Sequence, residues 1–367
     1  MAEQKLPMLT TRVRFPSPAP NRTMNMPTFD QIVIAWQKQA GRHDLPWQNT
    51  RDPYSIWVSE VMLQQTQVAS VIPYFERFMA RFPNIKALAQ ASEEDVLTLW
   101  SGLGYYARGR NLQRAAQQIM AQHGGIFPRH FNHILELPGV GRSTSGAIAV
   151  FAWGEAHPIL DGNVKRVLAR VFALPGYPGT PIVAALFWER ANQLLPNRDL
   201  EAYTQGLMDI GATVCTQRNP KCEVCPLKLA CEAHTLQAIN KYPESKPRSG
   251  VRPQKEFQML LVFNGRSLLL ERRPAKGIWA GLWCFPEAET HEDPVTVLKM
   301  RWGVQTQLVD ILPVVRHALT HRQLIMTPCR LTAIGRALPA GLLWMDVEDI
   351  AGAAVPVPVR KIIKLLG

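Results

Sequence analysis

Glu60 and Asp161 are carboxylic acids in opposite settings, and the contrast suits a reaction that needs both a proton donor and an anion. Glu60 lies in RDPYSIWVSEVMLQQTQV, where Asp52-Pro53 supplies an N-cap and a proline at the first helical position. At helical spacing its neighbours are Ile56, Trp57 and Leu63, so its side chain projects onto an apolar face. Desolvation there favours the protonated carboxyl, which makes it a proton donor; the other reading is a surface helical glutamate. Asp161, in HPILDGNVKRVLAR, stands just before an amphipathic helix marked by Val164, Val167, Leu168, Val171 and Phe172. Its simplest role is to cap that helix. The same terminus also favours the ionised carboxylate, able to face a developing cation. Cleaving an N-glycosidic bond needs both roles, protonation of the leaving base and negative charge beside an oxocarbenium-like sugar.

Two further strings carry chemistry. CTQRNPKCEVCPLKLAC spaces Cys215, Cys222, Cys225 and Cys231 as C-x6-C-x2-C-x5-C. Four thiolates with no histidine at ligand spacing suit a [4Fe–4S] cluster or structural zinc, and the single C-x2-C knuckle favours the cluster. Arg218, Lys221 and Lys228 in this loop are either phosphate contacts or a solvated charged surface. Cys284 and Cys329 stand alone and read as small buried apolar side chains. LELPGVGRSTSGAI (135–148) reads as a helix end, a tight turn and a new helix. Gly139 and Gly141 allow close backbone approach, and the free N–H groups of the new helix form a phosphate clamp of the helix-hairpin-helix kind. The plainer reading is an ordinary helix–helix turn.

These groups need a scaffold, and 367 residues exceed one ordinary core, so two domains are expected. Residues 1–26 carry prolines and basic residues without an apolar core segment, which reads as a disordered leader rather than a signal peptide. Met24 and Met26 are alternative starts. Residues 27–238 show helical periodicity, as in Asp95–Trp100, Arg110–Gln122 and Val164–Phe172. Residues 239–255 have linker composition, and 256–367 read as an α+β domain. Within it, Phe257–Phe263 and Ser267–Arg272 form a hairpin around Asn264-Gly265, followed by a helix near Val295–Trp302 and an apolar run, Gln323–Leu331. The net charge of +12 points to a polyanionic partner, nucleic acid or an anionic surface. No apolar run reaches the roughly 20 residues that span a bilayer, so no membrane role is expected.

Taken together, LPWQ (45–48), SEVMLQQTQV (59–68), GLGYYARGRNL (102–112), LPGVGRST (137–144), ILDGNVKRVLAR (159–170) and the four-cysteine loop resemble the MutY-type adenine DNA glycosylases. These belong to the endonuclease III helix-hairpin-helix superfamily. The likeness runs from about Pro27 to Gly367 and is densest up to Cys231. It implies an all-α helix-hairpin-helix glycosylase domain, two helical subdomains with an iron–sulfur loop, followed by an α+β Nudix-like domain. It also implies a cytoplasmic, nucleoid-associated bacterial monomer that excises adenine mispaired with 8-oxoguanine or G from double-stranded DNA. The base must first be flipped out, because the glycosidic carbon is shielded in the stack.

The resemblance further implies that Glu60 protonates adenine at N7, that Asp161 stabilises or transiently bonds the sugar cation, and that Asn163 supports the sugar and the aspartate. Gln65 and Tyr105 correspond to residues that wedge into the duplex; Trp47 and Gln205 correspond to lining of the adenine pocket. For the latter two, a core aromatic and a helix-surface amide are the alternatives. Ser143 stands where bifunctional relatives place a Schiff-base lysine, so water is the expected final nucleophile. GIWAGLWCFP (277–286) is Nudix-like, yet EAETHEDPVTVLKMRWGV lacks the R-E-x-x-E-E acids, so Mg²⁺-dependent pyrophosphate hydrolysis is not expected. Leu319-Thr320-His321 stands where the family has Phe-Ser-His: stacking is lost, while Thr320 and His321 keep polar groups. The competing readings are an endonuclease III-like pyrimidine-lesion lyase, opposed by Ser143 and the second domain, and a catalytically silent DNA-binding iron–sulfur protein, opposed by Glu60 with Asp161.

Overall fold

The computed structural model describes residues 27–246, 253–335, 338, 340–350 and 352–366. The expected leader, and residues 247–252 of the expected linker, lie outside the described residues.

The first part is helical, in the order α1 (Phe29–Ala40), α2 (Pro53–Leu63), α3 (Val68–Arg81), α4 (Ile85–Gln90), α5 (Glu93–Trp100), α6 (Ala107–His123), α7 (Phe131–Leu135), α8 (Arg142–Trp153), α9 (Gly162–Val171), α10 (Pro181–Gln193) and α11 (Leu200–Asp209). A π-helical turn (Ile210–Val214) and a short α12 (Glu232–Thr235) follow. Local chemistry sets several starts. Asp52 accepts from the Tyr54 and Ser55 amides with Pro53 at the first position of α2, and Ser92 and Asp95 form a reciprocal cap on α5.

The helices bury two separate cores. One gathers Trp57, Phe78, Trp100 and Ile119 from α2 to α6; the other gathers Val33, Val164, Phe187 and Ile210 from α1 and α9 onward. α8 serves both, giving Ile148 to the first and Ala147 to the second. α2 is apolar nearly all round, as a helix inside a core must be, whereas α9 buries one face, including Val164, Val167 and Leu168.

Among the described residues the first strand begins at Gln254. The strands are β1 (Gln254–Asn264), β2 (Ser267–Arg272), β3 (Trp283–Cys284), β4 (Glu287–Ala288), β5 (Thr306–Ile311), β6 (Val315–Ala318), β7 (Gln323–Ala333) and β8 (Leu342–Asp346), with α13 (Pro294–Trp302), α14 (Val347–Ile350) and α15 (Val357–Ile363). Along the main path the order is β3-β2-β1-β7-β5. β1 and β7 run parallel from Gln254↔Gln323 to Phe263↔Thr332, and the remaining pairs are antiparallel. β1 is apolar without a break from Met259 to Phe263 because both faces are covered: Phe257, Met259 and Leu261 enter one core, Leu260 and Val262 the other. The hairpin turn differs by one residue from the expected Asn264-Gly265. Asn264 still pairs with Ser267, so the loop is Gly265-Arg266, with Gly265 taking the positive φ of 60°.

This sheet domain docks on α5 and α6. Leu97 of α5 is buried within the sheet domain's core. Ser101 Oγ donates to Val355 O at 2.6 Å, Arg110 Nη1 to Ala280 O at 2.6 Å and Trp283 Nε1 to Glu94 Oε1 at 2.8 Å.

Candidate active site and cysteine loop

A cleft of about 2560 Å³ runs between the two helical cores and reaches the sheet domain. Small-molecule sites are typically about 300–1000 Å³, so this opening is on the scale of a polymer segment. Glu60, Asp161, Asn163, Trp47, Gln65, Tyr105, Ser143, Gln205, Thr320 and His321 all line it. Gly139 and Gly141 do not; they sit on the hairpin beside it.

Glu60 is carried by α2 beside Ile56 and Leu63, which share the cleft wall. Burial first, and the nearby Asp161 charge second, push its carboxyl up to about 8. Asp161 caps α9, accepting from the Val164 amide at 2.7 Å. Its pKa also moves upward: burial outweighs the stabilising Val164 and Asn163 amides and the positive charges of Arg166 and Lys165. This modifies the expectation from the helix terminus alone, since the terminus favours the ionised form but desolvation opposes it. The site therefore contains two carboxyls of unequal environment, coupled through space.

Asn163 accepts from Arg166 Nη2 at 2.8 Å, and Arg166 also reaches Gly211 O at 2.5 Å and Cys215 O at 2.7 Å. The approach at Gly211 is close: a Cβ there would lie 2.6 Å from Asn163 Cβ. Ser143 Oγ accepts from the Leu160 amide at 2.9 Å, steadying the residue before Asp161. Gln205 donates to Asp209 Oδ1 at 2.8 Å, and the buried Asp209 is also held by Arg42. Trp47 is a core aromatic, edge-on to Phe75, that still presents part of its surface to the cleft.

Gln65 and Tyr105 both have left-handed backbones, with φ of 57° and 49°. Tyr105 is 47% exposed, and its hydroxyl lies 2.9 Å from Thr320 Oγ1, joining the helical and sheet domains across the cleft. Leu319 instead packs against the sheet domain's core, while Thr320 and His321 are exposed. In the hairpin, Gly139 has φ 79°, and a Cβ on it would meet Asn111 Cβ at 2.8 Å. Gly141 has an ordinary extended backbone and open space where a Cβ would be, so it leaves room rather than relieving strain.

Cys215, Cys222, Cys225 and Cys231 line one small cavity with Val167, Ile210, Val214 and Leu227. Burial, reinforced by the neighbouring thiols, raises Cys222 and Cys231 and pushes Cys225 up to about 11. Arg170 donates to Cys215 Sγ at 3.3 Å and to Thr216 O at 2.7 Å. Among the described residues no group of three or more His, Cys, Asp or Glu side chains is disposed to hold a single metal ion. Lys228 is engaged by Glu223 at 2.6 Å, while Arg218 and Lys221 are exposed.

Arg108, Arg166 and Arg170 went unassigned in the sequence. Each works through backbone carbonyls from distant segments, and no local spacing announces such partners.

The fold and cleft define a helix-hairpin-helix DNA glycosylase with a Nudix-like second domain. Residues 58–193 match the HhH-GPD superfamily of base excision DNA repair proteins, and 258–365 match the NUDIX domain. The chain is 37% identical to the adenine DNA glycosylase of Buchnera aphidicola subsp. Acyrthosiphon pisum over 340 residues, covering 92% of this chain and 97% of that one. It is 34% identical to the Homo sapiens adenine DNA glycosylase over 405 residues, covering 92% and 73% respectively. A thermostable thymine-DNA glycosylase of known structure superposes with a TM-score of 0.52 at 29% identity, covering 57% of this chain and 95% of that one. The chain belongs to the adenine DNA glycosylase family, enzymes of base excision repair that act on N-glycosyl bonds. Among the described residues no helix is long and apolar enough to cross a membrane.

Proposed function

We propose that this enzyme removes adenine mispaired with 8-oxoguanine or G from double-stranded DNA, by hydrolysis and without a lyase step. One observation carries the reading: a buried glutamic acid and a helix-capping aspartate line one cleft, near enough that the aspartate charge adds to burial in raising the glutamate to about 8. Glu60, protonated at neutral pH, donates to N7 of the extruded adenine and turns it into a neutral leaving group. Asp161 faces the sugar as positive charge develops on it, and Asn163, steadied by Arg166, orients both. Trp47 and Gln205 line the base pocket. Gln65 and Tyr105 enter the duplex and hold it open, and Gly139, Gly141 and the start of α8 near Ser143 receive the phosphate backbone. Ser143 has no amine, so water completes the reaction. Thr320 and His321 read the base opposite adenine by hydrogen bonding, without the stacking an aromatic at 319 would add.

The domain division that goes with this reading is 27–238 for catalysis, 239–255 as linker and 256–367 for recognition of the mispair. Four thiols around one cavity, with a single C-x2-C knuckle and no histidine at ligand spacing, suit a [4Fe–4S] cluster better than zinc. Cys215, Cys222, Cys225 and Cys231 would hold the cluster, which would cross-link the loop that Arg166 and Arg170 tie to α9. The enzyme acts as a monomer in the bacterial cytoplasm, associated with the nucleoid.

Single-turnover assays on duplexes with A opposite 8-oxoguanine, G, C or T, developed with and without alkali, test the reading. The expected result is fast product with 8-oxoguanine and G and a strand break only after alkali. A break without alkali, with a borohydride-trapped complex, would replace it by the lyase reading.

A further inference from the structure

Among the described residues, the buried cation beneath the two duplex-entering residues has no carboxylate partner. Arg108 is 8% exposed and lies in the first turn of α6, where the helix dipole disfavours a positive charge. Its guanidinium sits instead in a cage of oxygens from two separate turns. Nη1 donates to Val61 O at 2.9 Å, Met62 O at 2.8 Å and Gln64 O at 2.5 Å, the carbonyls at the end of α2. Nη2 donates to Thr66 Oγ1 at 3.1 Å, and to Leu103 O at 3.3 Å and Gly104 O at 3.2 Å in the turn before α6. Gln64 and Thr66 flank Gln65, and Gly104 precedes Tyr105. The cation also lies 5.5 Å from the Tyr105 ring centre and 5.5 Å from that of Trp100. Burial lowers its pKa to about 10, so it stays charged at neutral pH.

Left-handed backbone at a residue other than glycine is strained and persists only where the surroundings over-determine it. Gln65 and Tyr105 are two such residues, and Arg108 binds both turns at once. We infer that Arg108 is a positioning residue that locks Gln65 and Tyr105 at a fixed separation, so that they enter the duplex as one rigid wedge. The inference rests on the proposed duplex-entering role of those two residues. A planar fork with donors aimed two ways is required; a lysine, with its donors on one nitrogen, cannot span both turns.

The test uses the full-length protein and duplexes carrying 2-aminopurine in place of the target adenine opposite 8-oxoguanine, whose emission rises on extrusion. Single-turnover rates are measured in parallel on adenine substrates. Arg108→Met should abolish the emission rise and slow excision by about a hundredfold, the scale of a small misplacement far from the chemistry. The pH profile of the residual rate should keep its wild-type shape, since Glu60 is untouched. Arg108→Lys should recover only a minor part of the emission, and it serves as the test if the methionine variant does not fold. A wild-type emission rise in either folded variant overturns the inference, as does a displaced pH profile. Gln65→Ala and Tyr105→Ala are the controls. Normal emission in both refutes their wedge role, whereas loss in them with normal emission in the Arg108 variants refutes only the part given to Arg108.

Discussion

A carboxyl held at about 8 donates a proton at neutral pH and fails to do so in alkali, and the signs of two pH effects follow. Excision should be sustained below pH 8 and decline as pH rises through that value. Glu60→Gln and Asp161→Asn should each lower the single-turnover rate by about 10²–10⁴, the usual contribution of a positioned acid or base, while gel-shift binding to the mismatch persists. Wild-type turnover in either variant contradicts the assignment. Stability moves in the same direction as activity. Below pH 4.5 Glu60 is protonated both folded and unfolded; between 4.5 and 8 the unfolded chain loses the proton that the folded chain keeps, so folding stability falls as pH rises, and above 8 the loss is complete. Glu60→Gln, though slowed in excision, should therefore be more stable than the native enzyme at pH 8, as denaturant titrations at pH 5 and pH 8 would reveal.

Elements turn single side chains into a site. The α7–α8 hairpin depends on Gly139, whose φ of 79° and contact with Asn111 leave no room for a side chain. Gly139→Ala should cost about 1–3 kcal/mol in stability and weaken DNA binding most at low salt, where phosphate contacts count most. Gly141→Ala meets nothing in the free protein, so its effect should appear in DNA affinity alone. The cysteine loop is held to α9 through Arg166 and Arg170, so the loop and the Asp161–Asn163 turn form one connected unit. Replacing any one of Cys215, Cys222, Cys225 or Cys231 by alanine should remove the brown chromophore of an iron–sulfur protein. A colourless protein with stoichiometric zinc would contradict the cluster.

At the scale of the whole molecule, the sheet domain is anchored rather than tethered. Leu97 projects from α5 into the other domain's core, and Ser101, Arg110 and Glu94 add hydrogen bonds around it. This docking brings Thr320 within reach of Tyr105. Leu97→Ala should cost about 2–5 kcal/mol, as truncation of a buried leucine does. It should also narrow the rate ratio between A opposite 8-oxoguanine and A opposite C, because the reading loop would no longer be held against the wedge. Unchanged selectivity in a measurably destabilised variant would show that the loop is positioned by other contacts.

The caps, turns and periodicities were readable in the chain itself, because each depends on residues within a turn of one another. Asp52-Pro53 opens α2, Asp161 opens α9, and the apolar neighbours of Glu60 foretold its desolvation. The four-cysteine spacing and the absence of a lysine at 143 were equally local. Tertiary structure alone decided which distant groups meet. That Arg108 binds carbonyls from two separate turns, that Arg166 joins Asn163 to the Cys215 loop, and that Leu97 belongs to the other domain's core involve backbone oxygens and buried faces with no signature in residue type. The upward shift of Asp161 is of the same kind, since desolvation depends on everything packed around a carboxyl, whereas a helix cap depends only on the next three residues.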